Sequence, residues 1–131
     1  MPPKPLIAII DDDQSVRDGT MDLIEAFGFA AVPLSRADDF LQSSVLESTV
    51  CLIADVQMPG KSGMELHNRL VNAGRSIPSI LITAFPEMKE RERAHDAGVV
   101  CYLSKPFKDD ELLACIQSAI APRLAGGGQA S

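Results

Sequence analysis

The chain has 131 residues, 46% hydrophobic and 23% charged, with a formal net charge of −6. That is a normal globular balance, with room for one domain and a real core but not for two ordinary domains. No dense Lys/Arg block is present, which argues against nucleic-acid binding by this chain, since that wants a clustered basic face.

Three cysteines, Cys51, Cys101 and Cys115, are too few and too spread for a zinc knuckle or a disulfide frame. Cys51 and Cys101, inside apolar runs, read as buried small hydrophobes, and a reducing compartment follows. The apolar stretch from Leu6 to Ile10 is too short for a signal peptide, and no run approaches the roughly 18 apolar residues of a membrane span. The expectation is a soluble, cytoplasmic protein.

In chain order, Leu6 to Ile10 is a continuous apolar run, as in a strand buried on both faces of a parallel sheet. Asp13 can cap a helix with Val16, Thr20, Leu23, Ile24 and Phe27 at helical spacing, closed by Gly28. Phe29 to Leu34 is a short second strand, which Pro33 assigns to an edge. Ser35-Arg36-Ala37-Asp38 resembles a helix start, carrying Phe40 and Leu41 inward. Val50 to Ala54 is the third strand and the central one. Met58-Pro59-Gly60-Lys61 is a turn, and Ser62-Gly63-Met64-Glu65 reads as a capping box. The helix it opens buries Met64, Leu66, Leu70 and Val71 and stops at Gly74.

Ile77 to Ile82 makes the fourth strand. Pro86 suits the first position of a helix running to about Ala97 and closed by Gly98. Its apolar stripe is thin, so this helix is the most weakly anchored and the one expected to shift. Val99 to Ser104 is the fifth strand, and a last helix from about Asp109 to Ala121 aligns Leu112, Leu113, Ile116 and Ile120. Five alternations of strand and helix predict a doubly wound, flavodoxin-like (βα)5 sandwich: a five-stranded parallel sheet with helices on both faces. Residues 1–121 form the domain. The segment 122–131, with Gly126-Gly127-Gly128, reads as a flexible tail or linker.

The chemistry lies at the strand ends. Asp11, Asp12 and Asp55, Thr83 and Lys105 would gather at one edge of a parallel sheet, where ligands bind in open α/β folds. Acids at that density repel unless a hard divalent cation joins them, and oxygen-only donors suit Mg²⁺. Lys105 adds a second cation and Thr83 a hydrogen-bond donor, a set suited to phosphoryl transfer onto a carboxylate. An X–Pro bond after Lys105 can be cis. His67 and His95 read as surface histidines, and the charges around Arg91 and Arg93 as a solvated helix face.

Over about residues 5–121 the chain resembles the CheY-like receiver domain of two-component response regulators, with a FixJ-type flavour. The matching pieces are Ile10-Asp11-Asp12-Asp13, Asp55-Val56-Gln57-Met58-Pro59-Gly60 with Ser62-Gly63-Met64-Glu65, Ile82-Thr83-Ala84, and Tyr102-Leu103-Ser104-Lys105-Pro106-Phe107. The resemblance implies a phospho-acceptor at Asp55, charged by a sensor histidine kinase or a histidine phosphotransfer protein. It implies Mg²⁺ held by Asp12, Asp55 and the backbone carbonyl of Gln57, with Asp11 acting through water or from just outside the metal's own ligands. Thr83 and Tyr102 become a switch pair, Lys105 the partner of the phosphoryl group, and the peptide before Pro106 cis.

The chain is then a switch, not an enzyme on a foreign substrate, signalling through its fourth helix, fifth strand and fifth helix to a protein partner or by homodimerising. A stand-alone receiver is favoured over the N-terminal module of a DNA-binding transcription factor. Phe85 is expected to shield the acyl phosphate from water. An Asp-nucleophile phosphatase of the haloacid-dehalogenase type would want an acid two residues after Asp55, where Gln57 stands. An FMN carrier would have its phosphate repelled by the acids after the first strand.

Overall fold

Five apolar runs pair side by side into one parallel sheet in the order β2-β1-β3-β4-β5. The strands are β1 (Leu6–Ile10), β2 (Ala30–Leu34), β3 (Thr49–Asp55), β4 (Ser79–Thr83) and β5 (Cys101–Ser104). The computed structural model describes residues 4–57, 62–75 and 77–124, the last four by backbone alone. The expected turn at Met58 to Lys61 lies outside these residues. β3 is central and β2, with its exposed Pro33, is an edge, as the sequence predicts. Central strands are buried on both faces, and β1, β3 and β4 are accordingly apolar through their middles, with polar residues at the ends of β3 and β4.

Helices cover both faces. α1 (Gln14–Ala26) and α5 (Asp109–Leu124) lie on one side, joined to Ile7, Ile9, Ile53, Ile80 and Ile82 of the sheet. α2 (Ala37–Leu41), α3 (Gly63–Asn72) and α4 (Met88–Asp96) lie on the other, over Ala8, Ile10, Leu52, Ala54 and Leu81. A 3-10 turn, Ser44–Ser48, leads into β3. Asp13 caps α1, its carboxylate accepting from Ser15 N and Val16 N. Ser62 and Glu65 form the predicted capping box of α3.

Besides β4 and β5 each starting two residues later than expected, at Ser79 and Cys101, the structure departs from the sequence reading in five places. Val71 is 53% exposed, not buried, because the buried stripe of α3 runs through Gly63, Leu66, His67 and Leu70, about one residue round from the predicted one. His67 is thus a buried histidine: Nε2 donates to Ala97 O at 2.8 Å and Nδ1 meets Ser79 Oγ at 3.0 Å. α4 starts at Met88, two residues after Pro86, because Phe85 N turns back onto Thr83 Oγ1 and the first helical bond runs from Arg91 N to Glu87 O. The backbone of α5 continues three residues past Ala121, to Leu124. Finally, Cys51 is a buried small hydrophobe, but Cys101 on β5 and Cys115 on α5 are joined by a disulfide, with Cα atoms 6.0 Å apart. That span lies within the range that a bridge tolerates.

α4 is as thinly anchored as its sequence suggests. Ala94 is its one buried residue among nine, the fewest of the five α-helices, so little apolar contact holds this helix to the sheet.

Candidate functional site

Register decides what meets at the sheet's carboxyl edge. Ile10 pairs with Ala54, Asp55 with Ile82, and Thr83 with Ser104, so Asp11, just after β1, stands level with Asp55, and Lys105, just after β5, stands one residue beyond Thr83. The ladder carries on past the strand ends through Asp11 N to Leu34 O, Val56 N to Ile82 O and Lys105 N to Thr83 O. Asp11, Asp55, Thr83 and Lys105 are therefore fixed by backbone pairing, as the sequence predicts.

Carboxylate oxygens of Asp11, Asp12 and Asp55 lie within 4.8 Å of one another. Asp11 and Asp55 are buried and Asp12 is exposed, which opens the cluster to solvent on one side. Lys105 bridges the two buried acids, its Nζ 2.7 Å from Asp55 Oδ2 and 3.2 Å from Asp11 Oδ2. The other oxygens are held by the backbone: Gln57 N donates to Asp55 Oδ1 at 2.8 Å, and Asp13 N to Asp11 Oδ1 at 2.9 Å. The Lys105–Pro106 peptide is cis.

Burial pushes the Asp11 carboxyl above its ordinary range, and the like charge of Asp55 adds to this against the pull of Asp13 N and Lys105. Burial also works against the charge on Lys105, but the hydrogen bond to Asp55 and the charges of Asp11 and Asp55 together hold the ammonium above the usual lysine value. Among the described residues the three carboxylates outnumber the one lysine that pairs with them. Three hard oxygen donors around an under-neutralised point fit a small divalent cation such as Mg²⁺.

Thr83 is fully buried at the end of β4, its hydroxyl oxygen accepting from Phe85 N at 3.0 Å. Tyr102 faces the α4 side of the sheet. Its hydroxyl donates to Glu90 and accepts from Glu87 N at 3.4 Å, and Arg91 stacks over the ring at 5.4 Å. One contributor was missed in the sequence. Arg17, one turn into α1, donates to Asp11 O at 2.7 Å and so braces the loop that carries the acids. Its position four residues after the cap Asp13 was the available signal.

A doubly wound (βα)5 sandwich with three acids and a lysine at the carboxyl edge places the chain among open α/β proteins that bind ligands at that edge. The chain belongs to the response regulator receiver domain family, whose model matches residues 7–117. It is 35% identical over 116 residues to nodulation protein W and 36% identical over 114 residues to the transcriptional regulatory protein FixJ, both of Bradyrhizobium diazoefficiens. These alignments cover 88% and 87% of this chain but 51% and 56% of the relatives, so the chain spans about half their length. Among solved structures, a receiver protein from Burkholderia phymatum is 37% identical with a TM-score of 0.76, over 90% of this chain and 96% of that one. The response regulator StyR is 36% identical with a TM-score of 0.83, over 96% and 66%. This chain is a receiver domain of two-component signalling, a class phosphorylated on aspartate that works with histidine kinases and output partners and binds Mg²⁺ at its acidic pocket. Among the described residues no helix is long and apolar enough to cross a membrane.

Proposed function

We propose that Asp55 is the phospho-acceptor of this receiver. The observation that carries the reading is the bridge from Lys105 Nζ to Asp55 Oδ2 and Asp11 Oδ2. It directs one oxygen of the central-strand carboxylate toward a cation and the acidic cluster, while Gln57 N holds the other. Asp55 Oδ2 attacks the phosphorus of a phosphohistidine. The P–N bond breaks, the imidazole leaves with its electron pair and takes up a proton, and an acyl phosphate forms. Lys105 moves with the new phosphoryl oxygens as their counter-charge. Mg²⁺, held by Asp12, Asp55 and the Gln57 carbonyl with Asp11 beside it, would neutralise charge on the phosphoryl group. The chain acts on no foreign substrate; the transfer is to itself.

The signal leaves through Tyr102 and α4. The Thr83 hydroxyl turns onto the phosphoryl group, the Tyr102 ring follows inward, and its bonds to Glu90 and Glu87 break, releasing the most thinly held helix. A groove of about 170 Å³ between α4 and β5, lined by Arg91, Ala94, His95 and Tyr102 among others, lies on that face and suits a protein partner or a second copy. The setting is cytoplasmic, where a sensor kinase presents its phosphohistidine. A second reading, the regulatory module of a DNA-binding regulator, is favoured by the chain's match to about half of relatives that include one called a transcriptional regulatory protein.

The test is intact mass after acetyl phosphate with Mg²⁺. The chain is expected to gain roughly 80 Da, one phosphoryl group. Asp55→Asn and a Mg²⁺-free sample are expected to gain nothing. Uptake by Asp55→Asn equal to that of the wild type would move the acceptor elsewhere.

A further inference from the structure

Cys101 opens β5, and its side chain packs on the α1/α5 face of the sheet. There it meets Cys115, which sits in α5 with the buried Leu112, Ile116 and Ala119. The two are 14 residues apart in sequence, 6.0 Å apart at Cα, and joined by a disulfide. The next residue, Tyr102, faces the other side of the sheet because successive strand residues alternate. The bridge therefore ties the strand to α5 at the residue just before the one that holds α4.

We propose that Cys101 and Cys115 form a reversible redox-modification site, whose oxidation restrains β5 and so limits the movement of Tyr102. In a reducing compartment the resting state is the dithiol, and a pair so placed is oxidised transiently. The oxidant is a low-molecular-weight disulfide. Cys101, the more exposed of the two, attacks one sulfur of that disulfide as its thiolate. The small S–S bond breaks and one small thiol leaves with a proton. The Cys115 thiolate then attacks the Cys101 sulfur and expels the second small thiol. The protein gives up two electrons and two protons, and the small disulfide becomes two thiols. That this restraint bears on phosphorylation rests on the reading of Tyr102 as a switch residue given above.

The experiment uses the full chain, treated with glutathione disulfide or with dithiothreitol, then alkylated in denaturant and weighed. The reduced chain is expected to take one alkyl group on each of its three cysteines, and the oxidised chain on Cys51 alone. Amide exchange across Cys101–Ser104 is expected to slow about tenfold on oxidation and to recover with dithiothreitol. Cys101→Ala and Cys115→Ala are each expected to remove the effect of the oxidant. Three alkylated cysteines after oxidation, or equal exchange in the two forms, would overturn the proposal, and the wild type alone decides both points. Phosphoryl uptake by the reduced chain is scored separately. Its absence sinks the phosphorylation reading, while alkylation and exchange still judge the redox site.

Discussion

The Tyr102 hydroxyl on β5 donates its hydrogen to the Glu90 carboxylate on α4, joining the most thinly anchored helix to the strand that leads into Lys105. Burial and this bond push the phenol up to about 12, from an ordinary 10.0. Between these values the folded chain keeps a proton that the unfolded chain has lost. The stabilisation is complete below about pH 10 and is lost as pH rises toward 12. Tyr102 is the sole tyrosine and tryptophan is absent, so phenolate absorbance reports on it alone. The midpoint is expected near 12 for the wild type and closer to 10.0 for Glu90→Ala. An identical midpoint in both would show that Glu90 does not hold the ring.

Much of this could be read in the residues, for a definable reason. Central strands of a parallel sheet are buried on both faces, so Leu6–Ile10 and Ser79–Thr83 stand out as apolar runs, and the polar residues that end them share an edge. Asp11, Asp55, Thr83 and Lys105 were legible on that ground. His67 and the Cys101–Cys115 bridge were not. Helical periodicity marks a face as buried by its apolar members, and a histidine that satisfies both ring nitrogens internally looks the same as a surface one. The bridge needs the height of α5 along β5, which no local pattern encodes. Residue spacing likewise left the stripe of α3 free to rotate, exposing Val71 and burying Gly63.

Gly63 shows how closely α3 approaches the site. A Cβ there would lie 2.8 Å from Asp55 O and 3.0 Å from a methyl of Leu81. The first of these contacts is backbone and cannot swing aside. Gly63→Ala is expected to push the start of α3 from the sheet, costing about 1–3 kcal/mol in urea unfolding, and to slow phosphoryl uptake by displacing Asp55. Wild-type stability and uptake would show that α3 shifts freely.

His67 pins α3 both to the start of β4 and to Ala97, which closes α4. Truncation leaves a cavity and strips Ala97 O and Ser79 Oγ of a partner. His67→Ala is expected to cost about 2–4 kcal/mol, with faster amide exchange at the end of α4. A loss under about 0.5 kcal/mol, the range of ordinary surface changes, would show that water replaces the ring at no cost.

Phe85 follows Thr83 by two residues and is 67% exposed, so packing in the core does not account for its side chain. Its amide is fixed on Thr83 Oγ1, which keeps the residue beside the strand end. Phe85→Ala is expected to hasten loss of the phosphoryl group severalfold, followed as the decay of the phosphorylated mass after acetyl phosphate is removed. An unchanged decay would mean that the ring leaves the water path open.

Asp11, Asp12 and Asp55 crowd their oxygens together, with Lys105 the one lysine paired to them among the described residues, so a divalent cation relieves repulsion that the folded chain alone must bear. Binding to the folded form stabilises it by RT ln(1 + [Mg²⁺]/Kd), about 2.7 kcal/mol at a hundredfold excess over Kd. The melting temperature is therefore expected to climb with Mg²⁺ concentration, with no such climb for Asp12→Ala. Asp12 is the exposed member of the cluster, so its removal leaves the packed core intact and separates loss of metal from loss of fold. Asp11 is held protonated to higher pH by burial and by Asp55, and a proton there competes with the cation. The Mg²⁺-induced rise is thus expected to shrink as pH falls through the carboxylate range. A rise of equal size at acid pH, or one retained in Asp12→Ala, would place the cation away from this cluster.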